Sequence, residues 1–175
     1  MGEIVIPEKA LLIAGVLHND RVGIEEVEAA LTESFGKILV RSVPFEFTQT
    51  DYYREEMGSP LTRVYYGMDR LIGQDGLVAI KRESNRLEKE RFSSSGKRNV
   101  NIDTGYLTFG KVVLASTKNN QHRLYLGEGI WAEVTLRYRN KTYTPWEWTF
   151  RDYRMASTIR FFNDLRSLYR EMPNP

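Results

Sequence analysis

Gly105-Tyr-Leu-Thr-Phe-Gly110-Lys111 is the stretch whose residue types and spacing come nearest to a known chemical device in this 175-residue chain. It reproduces the G-x4-G-K part of a nucleotide phosphate loop. There, backbone N–H groups cradle phosphates, the lysine reaches them, and a following Ser/Thr holds Mg²⁺. Two features argue against that chemistry. Val112 stands where the Ser/Thr belongs, and Tyr-Leu-Thr-Phe followed by VVLAST is strand-forming rather than the opening of a helix. A tight turn between two strands is the better reading. Thr117-Lys-Asn-Asn120 is a faint echo of a guanine-reading Asn-Lys-x-Asp element, and neither stretch supports a GTPase.

Other candidates flank this turn. Asn101 and Asp103 share one strand face, where they could hold a hydroxyl, a cation or an arginine. Alternatively, Asp103 closes the turn at Thr104-Gly105 as an Asx-turn. His122 and Arg123 precede Glu133 across a hairpin, an arrangement that is usually a structural cross-strand pair. If that face is a pocket, Arg123 holds a phosphate or carboxylate, Glu133 orients it, and His122 is available as acid or base. Lys81, Asn85 and Glu88 align at i, i+4, i+7 on a helix, either facing the site or forming a solvated line. With Lys118 and Tyr106 they complete one constellation. Arg123, Lys81 and Lys118 would meet an anion, Asp103 and Glu133 would orient it or take a proton, and Asn101 and Tyr106 would fix hydroxyls. Beyond Trp131, Arg137 opens a run in which Tyr138, Tyr143, Trp146, Trp148, Phe150 and Tyr153 interleave with Arg139, Lys141, Arg151 and Arg154. Such residues stack bases and meet phosphates, or they pack beneath a closing helix.

Composition narrows the chemistry. The chain is 41% hydrophobic and 27% charged, long enough to bury a core, and reads as one domain. A net charge of +2 is too balanced to argue for nucleic acid or an anionic membrane. There is no cysteine, which excludes a thiolate nucleophile and Cys-ligated metals, and two histidines do not make a multi-His metal site. No metal is therefore expected, and no cofactor is specified. The apolar run Ala10–Leu17 is too short to span a bilayer and lacks signal-peptide features. The expectation is a soluble cytoplasmic protein with no membrane partner and an unspecified oligomeric state.

The elements that must position these residues follow from periodicity. Ala10–Leu17 is a near-continuous apolar run that fits a strand covered on both faces. Ile24, Val27, Leu31 and Phe35 recur at helical spacing, with Asp20 available to cap and Gly36 ending the helix. Lys37–Phe47 reads as strand, with Pro44 favouring an edge or bulge. Thr48–Pro60 reads as a long loop with one helical turn, and Thr62–Ile72 as strand. Asp75 is placed to cap a helix from Gly76 to about Phe92, with Leu77, Ile80, Ser84 and Leu87 inside; Asp-Gly there could instead be a hairpin turn. Ser93–Arg98 reads as loop. Asn99–Leu107, Lys111–Thr117, Arg123–Leu126 and Ile130–Tyr138 read as strands, the last two joined by a three-residue loop Gly127–Gly129. That loop sorts Leu124, Leu126, Ile130, Ala132, Val134 and Leu136 onto one face. Met155, Ile159, Phe162, Leu165, Tyr169 and Met172 give a final amphipathic helix ended by Pro173. The order predicts an α+β fold, a ferredoxin-like strand–helix–strand core extended by an antiparallel β-meander with a C-terminal helix. A curved or half-closed antiparallel sheet is the alternative.

VNIDTGYLTFGKVVLASTKNNQHRLYLGEGIWAEVTLRY, with IKRESNRLE before it and PWEWTFRDY after it, resembles a family of uncharacterised bacterial and archaeal proteins of about this length. Many carry the label "GTP-binding protein". The resemblance spans essentially the whole chain. The family usually has proline where Thr104 stands, leaving Asp103, Gly105 and Tyr106 in place. It implies that Lys81, Asn85, Glu88, Asn101, Asp103, Tyr106, Lys118, His122, Arg123, Glu133 and Arg137 belong to the family pattern, and it implies no activity. Three readings follow. The first is a site for a small-molecule or nucleotide anion, for binding alone or for catalysis, between the Asn99–Tyr138 sheet face and the second helix. The second is an RNA-associated module using segment 137–154. The third is an interaction or scaffold domain without a site.

Overall fold

The computed structural model describes residues 2–173. Ala10–Asn19 forms β1, and every residue of it except His18 is buried, as an apolar run at the centre of a sheet should be. Helix α1 (Ile24–Phe35) buries Val27, Ala30, Leu31 and Phe35 and ends at Gly36, whose φ of 96° needs a residue without Cβ. No side chain caps α1, so Asp20 does not serve; Glu25 and Glu26 in its first turn complement the dipole instead. Pro44 separates β2 (Ile38–Arg41) from β3 (Phe45–Glu46), because a proline cannot continue the ladder. A one-turn helix α2 (Arg54–Met57) lies within the long loop. Strand β4 spans Leu61–Ile72. Asp75 falls in a 3₁₀ turn (Gln74–Gly76) that leads into α3 (Leu77–Arg91), and it does not cap that helix either.

Ser93–Arg98 is not a loop but a small hairpin, β5 (Ser93–Ser94) with β6 (Lys97–Arg98). Ser95 and Gly96 both have positive φ, the two-residue turn that matches strand twist. The meander follows as β7 (Val100–Leu107), β8 (Lys111–Ser116), β9 (Leu124–Gly127), β10 (Ile130–Arg139) and β11 (Thr142–Pro145). The β9–β10 turn is Glu128-Gly129 followed by a bulge, not a three-residue loop, yet the bulge restores the expected partners Trp131↔Tyr125 and Ala132↔Leu124. A second bulge between Val134 and Leu136 breaks the expected sorting. Ile130, Ala132 and Val134 join one core and Leu136 the other, while Leu124 and Leu126 on the edge strand are exposed.

All pairings in the sheet are antiparallel, in the order β11-β10-β8-β7-β1-β4-β2, with β3 beside β4 and β9 beside β10. The β7-β1-β4-β2 portion, with α1 and α3 as its crossovers, is the ferredoxin-like core, and the meander widens it. Helices α1 and α3 cover one face over Leu12, Ala14, Val16, Tyr66 and Met68. On the other face, helix α4 (Ala156–Glu171) packs Phe162, Leu165 and Tyr169 on Leu11, Ile13, Tyr65, Leu107 and Leu136. Both faces of the central strands are thus out of water, at about 1.5–3 kcal/mol for each large apolar side chain buried.

Candidate functional site

On the α4 face the odd-numbered residues of β1 form an apolar floor that is interrupted at Gly15. Its cross-strand partners are Tyr65 on β4 and Asp103 on β7, and the next floor position, Leu17, pairs with Arg63. A Cβ at Gly15 would stand 2.8 Å from Tyr153 Oη and 3.4 Å from Arg63 Nη1, so only glycine leaves room for what converges there. A 3₁₀ turn (Asp152–Arg154) just before α4 delivers Asp152 and Tyr153. Arg63, 3% exposed, lies between two carboxylates: Nη1 is 3.1 Å from Asp103 Oδ2 and Nε 3.0 Å from Asp152 Oδ2. Tyr65 donates its hydroxyl to the same Asp152 oxygen at 2.8 Å. The buried Tyr153 hydroxyl has no hydrogen-bond partner. Burial pushes the Tyr65 and Tyr153 hydroxyls well above the ordinary tyrosine range, so both keep their protons as donors.

Burial is the largest single influence on Asp103 and opposes its ionisation, but the Arg63 and Lys81 charges, with hydrogen bonds from Asn101 and Arg63, together outweigh it and hold the carboxyl below its ordinary 3.8. A carboxyl depressed in the folded state contributes stability that is present above its ordinary value and lost as pH falls through the lower folded one. Asp103→Asn is therefore expected to lose less stability than wild type between about pH 5 and pH 3. Urea unfolding at the two pH values measures this, and equal acid slopes would refute the assignment.

A second polar group stands on the same face. Glu133 on β10, 3% exposed, accepts from Arg123 Nε at 2.8 Å and from Thr135 Oγ1 at 3.3 Å, and lies 3.0 Å from His122 Nε2. Arg123 Nη1 also donates to Ser116 Oγ at 2.7 Å and to the Lys118 carbonyl at 3.0 Å. The His122 ring stacks on Trp148, Trp148 stacks on Trp146, and Arg137 lies 3.9 Å over Trp146. These flat groups are spent on one another, while Tyr143 and Tyr153 are buried and Phe150 is exposed.

Between the two groups opens a cleft of about 930 Å³. Its floor carries Arg63, Asp103 and Arg123, and its sides are the segments 47–53 and 149–154. Lys118 contacts the Tyr52 hydroxyl and sits 3.9 Å over that ring, and Arg151 donates to the Gln49 carbonyl at 3.4 Å across the rim. Lys118, Arg151 and Arg154 at the rim are exposed, as is Asp51.

Of the residues singled out from sequence, Asp103, Lys118 and Arg123 line this cleft together with Phe150, Arg151, Tyr153 and Arg154 of the aromatic–basic run, and Glu133 and His122 adjoin it through Arg123. Asn101 stands beside Asp103 on the same strand face without lining the cleft, and the others lie elsewhere. Strand β8 pairs with β7 only over Gly105–Leu107, leaving the outer backbone of Ile102 without a strand. Side chains of α3 take over. Lys81 Nζ donates to the Ile102 carbonyl at 2.8 Å, and Glu88 accepts from its N–H at 2.7 Å. Glu88 also holds Arg98 at 2.5 Å, and Arg98 bonds the Asn101 side-chain oxygen at 3.1 Å and both oxygens of Glu56. Tyr106 is buried in the α1/α3 core, Asn85 is partly exposed on α3, and Arg137 stacks on Trp146. Gly105 and Lys111 belong to β7 and β8, joined by a hairpin, so no helix follows the glycine–lysine pair. Sequence reasoning missed Arg63, Asp152 and Gly15, and named Tyr153 only as a base-stacking or packing aromatic. Two signals were present: an arginine within the strand-forming LTRVYYGM and a glycine within ALLIAGVL.

The fold and cleft define an α+β protein with a ferredoxin-like core widened by a meander, both faces of its sheet covered by helices. The family described as Domain of unknown function (DUF4416) matches residues 8–169, and the chain belongs to it. No curated protein and no solved structure matches the chain. Among the described residues no helix is long and apolar enough to cross a membrane.

Proposed function

We propose that the cleft over Gly15 binds a small phosphorylated organic molecule. The observation that carries this reading is the distribution of charge around a cavity of ligand size. At the rim the exposed cations Lys118, Arg151 and Arg154 outnumber the lone carboxylate Asp51, and Tyr52, Tyr53 and Phe150 offer flat apolar surface beside them. Arg123 is held by Glu133 and Ser116 in one orientation toward the cavity, which lowers the entropy lost when an anion is bound. Lys118 contributes a point charge that follows a phosphate group as it enters.

Thermal denaturation in the presence of nucleotides, sugar phosphates and orthophosphate tests the reading. A ligand at about a hundred times its Kd adds ~2.7 kcal/mol, which for a chain of this size raises Tm by roughly 5–10 °C. Lys118→Ala is expected to weaken the response about five- to tenfold in ligand concentration, since one charge-assisted contact is lost. It removes an exposed side chain, so ligand-free stability stays within about 0.5 kcal/mol. No shift with any of these anions would overturn the reading. A shift confined to GTP with Mg²⁺ and abolished by Lys111→Ala would restore the phosphate loop in its place.

A further inference from the structure

We propose that the inner end of this cleft reads hydroxyl groups, with Asp103 accepting from and Tyr153 donating to them, so that the ligand is a sugar or nucleoside phosphate bound with its phosphate at the rim. This rests on the anion-binding reading above and adds the chemistry of the ligand's other end.

The first observation is the orphan donor. Tyr153 is 1% exposed and lines the cleft, yet its hydroxyl has no partner. A buried hydroxyl without a hydrogen bond is unfavourable, and an oxygen arriving from a ligand relieves that penalty. The second is what sets the position of that hydroxyl. Tyr153 Oη lies 2.8 Å from where a Cβ on residue 15 would stand, so it holds its place at the inner end of the cleft only because that residue is glycine. The third is the acceptor. Asp152 is sealed in by Arg63 and Tyr65, with its side chain 3% exposed, whereas the Asp103 side chain, whose Oδ2 faces Arg63, is 26% exposed and lines the cleft.

Charge decides which group this end takes. At the floor Arg63 is shared by two carboxylates, so a phosphate there would meet net negative charge. An ammonium group fares no better. The cation position is already taken by Arg63 itself, whose guanidinium lies 5.2 Å over the Phe47 ring and 5.8 Å over Tyr65. A neutral group that both donates and accepts suits an open carboxylate beside an unpartnered hydroxyl, and an alcohol is such a group. The rim, with its excess of cations, takes the anion. A molecule with phosphate at one end and hydroxyls at the other matches both.

Calorimetric titration of the full chain with ribose 5-phosphate, pentyl phosphate and orthophosphate separates the two ends. Ribose 5-phosphate is expected to bind at least about tenfold more tightly than pentyl phosphate, which has the same anion without hydroxyls. Tyr153→Phe and Asp103→Asn are each expected to reduce that preference to about twofold or less while leaving the pentyl phosphate Kd within about twofold. Gly15→Ala, whose Cβ would push the Tyr153 hydroxyl out of place, should act in the same direction. Tyr153→Phe removes one oxygen and keeps the ring packing, so it reports even if Asp103→Asn loosens the fold. Equal binding of the two phosphate esters, or a preference that survives both variants, overturns the hydroxyl assignment and leaves the anion site standing. Failure of all three phosphates to bind removes both.

Discussion

Arg63→Ala is expected to destabilise the protein by about 3–5 kcal/mol, the range seen when one partner of a buried ion pair is removed. Asp152 would be left 3% exposed with only the Tyr65 hydroxyl for company, and a carboxylate in that position has no alternative solvation. Asp103, open to the cleft, adds less. For a chain of this length the loss corresponds to roughly 6–20 °C in Tm. The cause is separable from simple loss of packing. In Arg63→Met/Asp152→Leu both charges go, and the pair is expected to recover most of the stability lost by Arg63→Ala, because well-packed apolar groups replace a buried ion pair at little net cost. Thermal and urea denaturation of the single and double variants measure this. A loss below about 1 kcal/mol for Arg63→Ala would show that Asp152 is not the buried, Arg63-dependent carboxylate described above.

The second large effect is expected at Gly105, the first glycine of the phosphate-loop lookalike. A Cβ there would stand 2.1 Å from the Val113 carbonyl oxygen and 2.8 Å from Leu114 Cδ2. The carbonyl is backbone within the β7–β8 ladder, where Gly105 pairs with Leu114 and Tyr106 with Val113, so it cannot turn aside. Gly105→Ala forces the strands apart in the middle of the sheet and is expected to lower stability by about 3 kcal/mol or more. Lys111→Ala, at the mouth of the same hairpin, should change it by no more than about 0.5 kcal/mol. A phosphate loop predicts the reverse division, with both substitutions affecting nucleotide affinity and neither affecting the fold. Urea unfolding of the two variants distinguishes the cases, and a Gly105→Ala protein as stable as wild type would refute the packing role.

The elements were legible where a single period ran uninterrupted. β1, α1, α3 and α4 follow directly from apolar spacing, and the α+β order with its ferredoxin-like core follows from their sequence. The cleft was legible only in part. Asp103, Lys118, Arg123 and Glu133 were found because they cluster in one meander, whereas Arg63 and Asp152 come from β4 and from the turn before α4, far apart in the chain. No local pattern announces such a meeting. Lys81, Asn85 and Glu88 kept helical spacing as expected, but which sheet face α3 covers is a matter of topology, and it covers the face opposite the cleft. Leu136 was sorted wrongly because a bulge has no signature in residue type: one extra residue between Val134 and Leu136 reverses the alternation beyond it. The small hairpin was missed for a simpler reason, since Ser95-Gly96 is a weaker turn signal than Asn-Gly or Asp-Gly.

Coverage on both faces has a consequence for how the chain assembles. A strand with one wet face is aligned by polarity, because sliding it by a single residue would drown its polar half. β1 lacks that safeguard: Leu11, Ile13 and Leu17 on one side and Leu12, Ala14 and Val16 on the other are interchangeable as far as water is concerned. Its alignment must come from the few residues that are not. Gly15 fits only beneath Tyr153 and Arg63, and Asn19 reaches the Met57 carbonyl at 2.8 Å and the Asn99 side chain at 2.9 Å. These act as dowels in an otherwise featureless joint. A chain with apolar residues at 15 and 19 would be greasier and keep its strand propensity, yet it would be free to settle one notch out of place, a misassembly that circular dichroism would not distinguish from the native sheet.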